Sequence, residues 1–218
     1  MAVKRATPFA FLVVPVGALV IASLVTGCRM DAPERGEARE REAETGFRGR
    51  VHADPAPRPD FVLQDARGGT FDFREQTDGY LTLLFFGYTH CPDVCPIHMS
   101  SIAAVKRDLG EEFARHTKVI FVTVDPARDT PERLVSWLGN FDREFIGLYG
   151  DPAQIDSIQV GLGLPPAVVP DSSADDYVVG HGSPVIAWPA DDRVRVDFPF
   201  GTRQEDWRHD LAKLAGGD

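Results

Sequence analysis

Apolar segments and amphipathic segments alternate through most of the chain beyond residue 60. Residues 81–86 and 119–124 are apolar or β-favouring throughout, which predicts strands buried on both faces of a sheet. Apolar spacing and turn residues predict further strands at 61–63, 70–73, 146–149, 183–188 and 194–198, and helices at 96–109, 131–141, 152–162 and 204–214. Because this order mixes crossover units with hairpins, we predict an α/β fold, a three-layer α/β/α domain with a mixed central sheet.

Prolines mark two of the predicted helix starts. Thr130 is followed by Pro131, the arrangement of an N-cap with proline at the first helical position. Pro96 disfavours helical geometry in the residue before it, so we predict that the earlier helix begins at Pro96 with Cys95 as its N-cap.

Composition and charge exclude several classes of protein. The 218 residues are 43% hydrophobic and 26% charged, which is typical of one globular domain and excludes a wholly disordered chain or a polytopic membrane protein. The formal net charge is −10, and so acidic a chain would repel a phosphate backbone. We therefore expect no nucleic-acid partner.

The N-terminal segment is typical of an export signal. Lys4 and Arg5 precede an apolar run over 9–25 that is shorter than the roughly 20 residues of a comfortable membrane span. The sequence that ends at Cys28 resembles a bacterial lipobox, which implies that residues 1–27 are a lipoprotein signal peptide and that Cys28 is lipidated. An uncleaved signal anchor is the alternative. In both cases the remainder lies outside the cytoplasm.

A charged segment follows the signal. Charges alternate in sign over 29–44, and three prolines, at 55, 57 and 59, stiffen the approach to the domain. We predict that residues 28–58 form a lipidated cysteine and tether and that residues 59–218 form the folded domain.

Two cysteines lie where the strand over 81–86 gives way to a helix. Cys91 and Cys95 follow the carboxyl end of this strand, an edge where open α/β sheets bind ligands. The N-terminus of a helix favours thiolate. An inert pair, a dithiol oxidoreductase and a metal site all remain open, although oxidoreductases usually separate the cysteines by two residues. Soft thiolates select Cu(I), and an added imidazole would also suit Cu(II), whereas structural zinc requires a fourth ligand.

A histidine would complete such a metal site. His181 lies between Gly180 and Gly182, just before a predicted strand, so its loop can bend and aim the imidazole. We expect His90 to be solvated or to lie in the outer shell of the site, because neighbouring side chains diverge, and we expect His98, His116 and His209 at the surface.

Three segments together resemble the Sco (SenC/PrrC) family of thioredoxin-like copper-binding proteins, which help to assemble the copper centre of cytochrome c oxidase. Residues 86–96, FGYTHCPDVCP, are similar to its cysteine motif, and residues 124–132, VDPARDTPE, to its second characteristic segment. The region 177–183, YVVGHGS, is similar to its distal histidine loop, with Gly180 where the family often has an acidic residue. The resemblance extends over about residues 60–214 and implies a thioredoxin-like fold.

The resemblance also implies the ligands. One copper ion would bind Cys91, Cys95 and His181, as Cu(I) through the thiolates with or without the imidazole and as Cu(II) through all three. Asp125 and Asp129 match acidic positions of the family, where an outer-shell role or a weak fourth ligand is conceivable. Capping of a strand end and of a helix is the alternative role for these carboxylates.

The implied function is that of a metallochaperone that delivers copper to the copper-bearing subunit of cytochrome c oxidase during its assembly. Other extracytoplasmic copper carriers would be further partners, and the lipid anchor would hold the protein at the extracytoplasmic face of a bacterial membrane. The alternative is an enzyme, a membrane-tethered thiol-disulfide reductase that acts on the oxidase subunit's cysteines. Its catalytic residues would be Cys91 and Cys95, with Cys91 as the attacking thiol.

Overall fold

A computed structural model describes residues 40–52, 57–170 and 177–216. The predicted signal segment, Cys28 and the first part of the predicted tether lie outside the described residues. Within the described ranges, no helix combines the length and the apolar character needed to cross a bilayer.

The described residues are organised around one eight-stranded sheet. Its strands are β1 (Arg50–Val51), β2 (Val62–Asp65), β3 (Thr70–Asp72), β4 (Leu81–Gly87), β5 (Thr117–Thr123), β6 (Ile146–Tyr149), β7 (Val185–Trp188) and β8 (Val196–Phe198). Their spatial order is β1-β8-β7-β4-β5-β6-β2-β3. The central strands β4, β5 and β6 are parallel, and the other pairs are antiparallel. The prediction of a mixed sheet is therefore confirmed.

In the described ranges, five helices follow β1 and complete the layers, and residues 40–45, which precede β1, are also helical. The five helices are α1 (Phe73–Thr77), α2 (Val94–Arg115, with a break at Gly110), α3 (Pro131–Leu138), α4 (Pro152–Gly161) and α5 (Gln204–Gly216). Side chains alternate along each strand, so one face of the sheet carries Phe85, Phe121 and Phe198. The rings of these residues contact His98 of α2, Trp137 of α3 and Trp207 of α5, respectively.

The opposite face of the sheet carries Arg195 and Asp197. The Arg195 guanidinium reaches the carbonyl of Leu162, directly after α4, at 2.9 Å. Helices α2, α3 and α5 thus cover one face and α4 covers the other, which confirms the three-layer prediction.

The predicted hairpin near the start of the domain is present, but it is followed by a helix that the pattern did not indicate. Strands β2 and β3 pair across Gly68 and Gly69, whose φ angles are 107° and 86°. Helix α1 starts immediately after β3, and the Asp72 carboxylate accepts a hydrogen bond from the Glu75 N–H at 2.9 Å. This N-cap turns the predicted end of the strand into a helical turn.

The predicted start of α2 is wrong by two residues. The helix begins at Val94 rather than at Pro96, and its N-cap is Asp93 rather than Cys95. The Asp93 carboxylate accepts a hydrogen bond from the Val94 N–H at 2.6 Å. Pro96 is tolerated in the first turn because the N–H groups there have no partner within the helix, so its missing donor costs nothing.

Part of the segment assigned to the tether packs against the domain. Strand β1 pairs with β8 at the edge of the sheet, and Phe47 is buried. The N–H groups of Arg48 and Gly49 donate to the buried carboxylate of Asp210 at 3.0 and 2.7 Å. The packed chain therefore starts before residue 59, the predicted boundary.

Candidate metal centre

The two cysteines lie between the end of β4 and the first turn of α2. Every residue of β4 is buried, and the strand ends at Gly87. A Cβ atom at Gly87 would lie 3.0 Å from the sulfur of Cys95 and 2.7 Å from the Phe85 ring, so only glycine allows Cys95 to pack against the strand end. Both thiols are free; Cys95 is buried, and Cys91 is half-buried.

The two sulfurs have opposite electrostatic environments. The hydrogen bond from the Cys95 thiol is the main cause that lowers the pKa of Cys91 to about 5, and burial opposes it. The backbone N–H of Cys95 also points at the Cys91 sulfur, with N and Sγ 3.4 Å apart. The pKa of Cys95 is raised, because its thiol is hydrogen-bonded to Cys91 and is buried. Cys91 is therefore the thiolate at neutral pH, and Cys95 carries the proton.

This asymmetry predicts the pH dependence of alkylation. Because only the thiolate reacts, the rate at which iodoacetamide modifies Cys91 should rise through a midpoint near pH 5 and remain level above it. Mass spectrometry of peptides after timed labelling measures this rate. In Cys95→Ala, which removes the thiol donor, the midpoint should move upward. A wild-type midpoint near the ordinary value of 9.0 would contradict the assignment.

His181 lies at the same end of the sheet, in the loop that leads into β7. We call residues 180–183 the histidine loop. The His181 ring is half-buried and lies edge-on to the Tyr88 and Phe85 rings, with centroid distances of 5.9 and 6.1 Å. The electrostatic influence of the His181 side chain is a minor further cause that lowers the pKa of Cys91.

The hydrogen bond of the imidazole selects its tautomer. Nδ1 of His181 lies 2.9 Å from the carbonyl oxygen of Gly182, which can only accept, so Nδ1 carries the proton. In the neutral ring this tautomer leaves the lone pair on Nε2, and no group in the described part of the chain forms a hydrogen bond with that atom. This is the form in which histidine ligates a metal.

The three predicted ligands lie at the same end of the sheet, but their donor atoms are too far apart to bind one ion together. The donor atoms of Cys91, Cys95 and His181 do not all lie within 4.8 Å of one another. Closure of the site around one ion thus requires the imidazole and the thiols to approach each other.

Among the described residues, the set of three possible ligands that does meet this distance is His90, Asp125 and Asp129. The carboxylate of Asp129 is already occupied by hydrogen bonds, from the N–H of Thr89 at 2.9 Å, from its hydroxyl at 2.6 Å and from the Thr123 hydroxyl at 2.7 Å. Asp129 therefore holds the backbone two residues before Cys91.

Asp125 connects the second motif to the segment before the histidine loop. Its carboxylate accepts hydrogen bonds from Arg128 Nε at 2.5 Å and from the Tyr177 hydroxyl at 2.7 Å. Arg128 also donates to the Tyr177 carbonyl at 3.0 Å and stacks over the Tyr177 ring at 3.5 Å. The buried ion pair between Asp125 and Arg128 thus positions the segment that leads to His181. The sequence did not indicate this role of Arg128 and Tyr177.

The expectation that His98 is a surface residue is wrong. It is buried against the rings of Phe85 and Trp207, and its Nε2 donates to the carbonyl of Ser183 at 3.0 Å. Burial lowers the pKa of His98 to about 4, so the ring is neutral at physiological pH. His98 follows Cys95 by one helical turn, and that spacing was the available signal that both belong to the buried face of α2. His98 therefore links the cysteine helix to the histidine loop.

Comparisons with known proteins identify relatives that match part of this chain. A putative copper-binding protein of Stutzerimonas stutzeri is 36% identical over 124 residues, which are 56% of this chain and 59% of that protein. The match to the SCO2 homolog of Bos taurus is 35% identical over 126 residues, 46% of that protein. The chain thus spans about half to three-fifths of the length of these curated relatives.

A solved structure and a family profile extend over more of the domain. ScoI of Bradyrhizobium japonicum, solved with copper bound, is 34% identical, with a TM-score of 0.64 over 73% of this chain and 100% of that one. The profile described as SCO1/SenC matches residues 51–216, well over half of the chain. The thioredoxin-like prediction is confirmed, and the chain belongs to the SCO1/SenC family.

Proposed function

We propose that this protein binds one copper ion through Cys91, Cys95 and His181. The observation that carries the proposal is the placement of a thiolate, a second thiol and an imidazole with an available Nε2 at one end of the sheet. Soft sulfur ligands suit Cu(I), and sulfur with nitrogen suits Cu(II), so the donor set fits copper in both oxidation states. The copper-bound relative from B. japonicum supports this choice of metal.

The ligands would act in sequence. The Cys91 thiolate is ready to bind at neutral pH, whereas Cys95 must release its proton as the metal enters. The imidazole of His181 would then approach from its loop. The hydrogen bond from Nδ1 to Gly182 keeps the ring oriented, as partners of the second nitrogen do for metal-bound histidines.

The bound copper would be cargo rather than a catalyst. We propose that the protein passes copper to the copper centre of cytochrome c oxidase during its assembly, a role that rests on family membership. Transfer through shared thiolate ligands avoids release of a free ion. Lipidation of Cys28 at the outer face of the membrane would keep the domain close to a membrane partner at high effective concentration.

The test of the ligand set is titration of the reduced protein with Cu(I) and Cu(II). We expect one equivalent of each to bind, with sulfur-to-copper charge-transfer absorption for Cu(II). In His181→Ala, Cu(II) affinity should fall by more than the 10–100-fold cost of losing an outer-shell partner, whereas Cu(I) should remain bound by the thiolates. His116→Ala, at an exposed site, is the matched control. Unchanged stoichiometry and spectrum in His181→Ala would contradict the three-ligand site.

A thiol-disulfide reductase is the second candidate, favoured by the low pKa and partial exposure of Cys91. The Cys91 thiolate would attack a partner disulfide to form a mixed disulfide, and Cys95 would then displace the partner's second thiol. Two electrons and two protons pass to the partner, and a Cys91–Cys95 disulfide remains. This exchange does not need His181, so His181→Ala distinguishes the candidates: it should impair Cu(II) binding and leave the rate of disulfide reduction largely intact.

A further inference from the structure

A cavity of about 470 Å³ opens beside the histidine loop, on the face of the sheet that α4 covers. Its walls come from β1, β8, the end of α4 and the residues that follow His181. The residues that line it and matter below are Arg50, His52, Leu164, Pro184, Arg195 and Asp197.

The one carboxylate that lines this cavity among the described residues is already paired, so the cavity keeps a net positive charge. The buried Arg195 guanidinium donates to both carboxylate oxygens of Asp197, through Nε at 2.8 Å and Nη2 at 2.9 Å, and through Nη1 to the Leu162 carbonyl. Nε2 of His52 also donates to Asp197, at 2.7 Å. The single acidic group is thereby compensated. A guanidinium has five N–H groups, so one N–H remains on each terminal nitrogen of Arg195.

Arg50 is a second positively charged residue at the cavity. Arg50 is exposed on the edge strand β1 and has no ion pair or side-chain hydrogen bond within the described part of the chain. Because Arg195 is paired with Asp197, Arg50 is the residue that gives the cavity a net positive charge. Leu164 and Pro184 add an apolar wall.

We propose that this cavity binds an organic carboxylate, with the anion held by Arg50 and Arg195 and the apolar body against Leu164 and Pro184. Guanidinium groups match carboxylates in geometry and charge, and small-ligand sites combine apolar walls with a few convergent polar groups. The carboxylate can belong to a free small acid or to the C-terminus of a peptide. Inorganic phosphate would satisfy the charges but would leave the apolar wall unused.

The position of the cavity gives such a ligand access to the histidine loop. Ser183 and Pro184 form part of its wall, and the Ser183 carbonyl accepts the hydrogen bond from His98. A bound carboxylate would therefore contact the backbone two residues beyond His181. Amide signals of Gly182 and Ser183 should report its binding.

The test is titration of the metal-free full-length protein with succinate, with N-acetyl-trialanine, with the amide of that peptide and with phosphate, by calorimetry and by amide chemical shifts. We expect saturable one-to-one binding of succinate or of the free-acid peptide, which identifies the source, and weaker or no binding of the amide and of phosphate. Arg50→Gln should weaken carboxylate binding by about tenfold or more, because it removes a charged donor. Arg107→Gln, at an exposed position on α2, removes the same charge elsewhere and should change nothing.

Three results would overturn the proposal: no saturable carboxylate binding, equal loss in the two arginine variants, or phosphate binding as tight as that of the carboxylates. None of these measurements involves copper, so their outcome is independent of the proposed metal site.

Discussion

Replacement of both Cys91 and Cys95 by serine is expected to abolish tight Cu(I) binding. A serine hydroxyl is a hard ligand that stays protonated near neutral pH, whereas Cu(I) selects thiolates. His181 alone would then face the ion, so the loss should far exceed the 10–100-fold cost of removing an outer-shell partner. Competition with a chromophoric Cu(I) chelator in oxygen-free buffer measures the affinity.

The chain supplies its own control for this experiment. Cys28 is its third cysteine and lies in a different predicted region. Cys28→Ser should leave Cu(I) affinity unchanged. If the double variant still took up one equivalent at wild-type affinity, the two sulfurs would not be the ligands, and the proposed copper function would have to be abandoned.

Replacement of Asp129 by alanine is expected to lower the free energy of unfolding by about 3–5 kcal/mol. The carboxylate is buried and accepts three hydrogen bonds, two from Thr89 and one from Thr123. Its removal leaves these donors unsatisfied in the interior. It also removes the negative charge near Arg133, whose Nε lies 2.7 Å from the Thr89 hydroxyl. Urea unfolding of the metal-free protein measures the change.

Asp108→Ala is the matched control, because Asp108 is exposed on α2; the free energy of unfolding should change by no more than about 0.5 kcal/mol. Asp129→Asn, which keeps the shape and one acceptor oxygen, should lie between the two. Equal stability of Asp129→Ala and Asp108→Ala would show that the buried hydrogen bonds around Thr89 contribute nothing measurable.

The central strands and the cysteine pair could be located from local patterns alone. The apolar run over 81–86 corresponds to β4, and the prolines around the cysteines indicated a helix start. The exact start of α2 was missed because two local effects compete. Pro96 disfavours helical geometry at Cys95, but Asp93 caps the helix two residues earlier, and the cap prevails. Local signals of this kind predict that an element exists better than they predict where it ends.

The supports of the site could not be predicted in the same way, because they depend on contacts between distant segments. His98 packs against Trp207 of α5 and donates a hydrogen bond to the carbonyl of Ser183 in the histidine loop. Arg128 stacks on Tyr177, which lies nearly fifty positions further along the chain. The Asp210 carboxylate, near the C-terminal end of the domain, accepts a hydrogen bond from the backbone N–H of Arg48 near its N-terminal end. The helical spacing of His98 from Cys95 was a local sign of its burial, whereas Arg128 in a loop and Asp210 on an amphipathic helix gave none.

The antiparallel pairing of β7 with β4 has a consequence for biosynthesis. Strand β4 leaves the sheet toward Cys91, and β7 enters at the same edge just after His181, with Leu84 opposite Ile186. A nascent chain that has emerged only as far as α4 would already expose both sulfurs, yet the imidazole would arrive only once β7 had been translated and docked. Loading through all three ligands would therefore be confined to chains in which β7 has already docked.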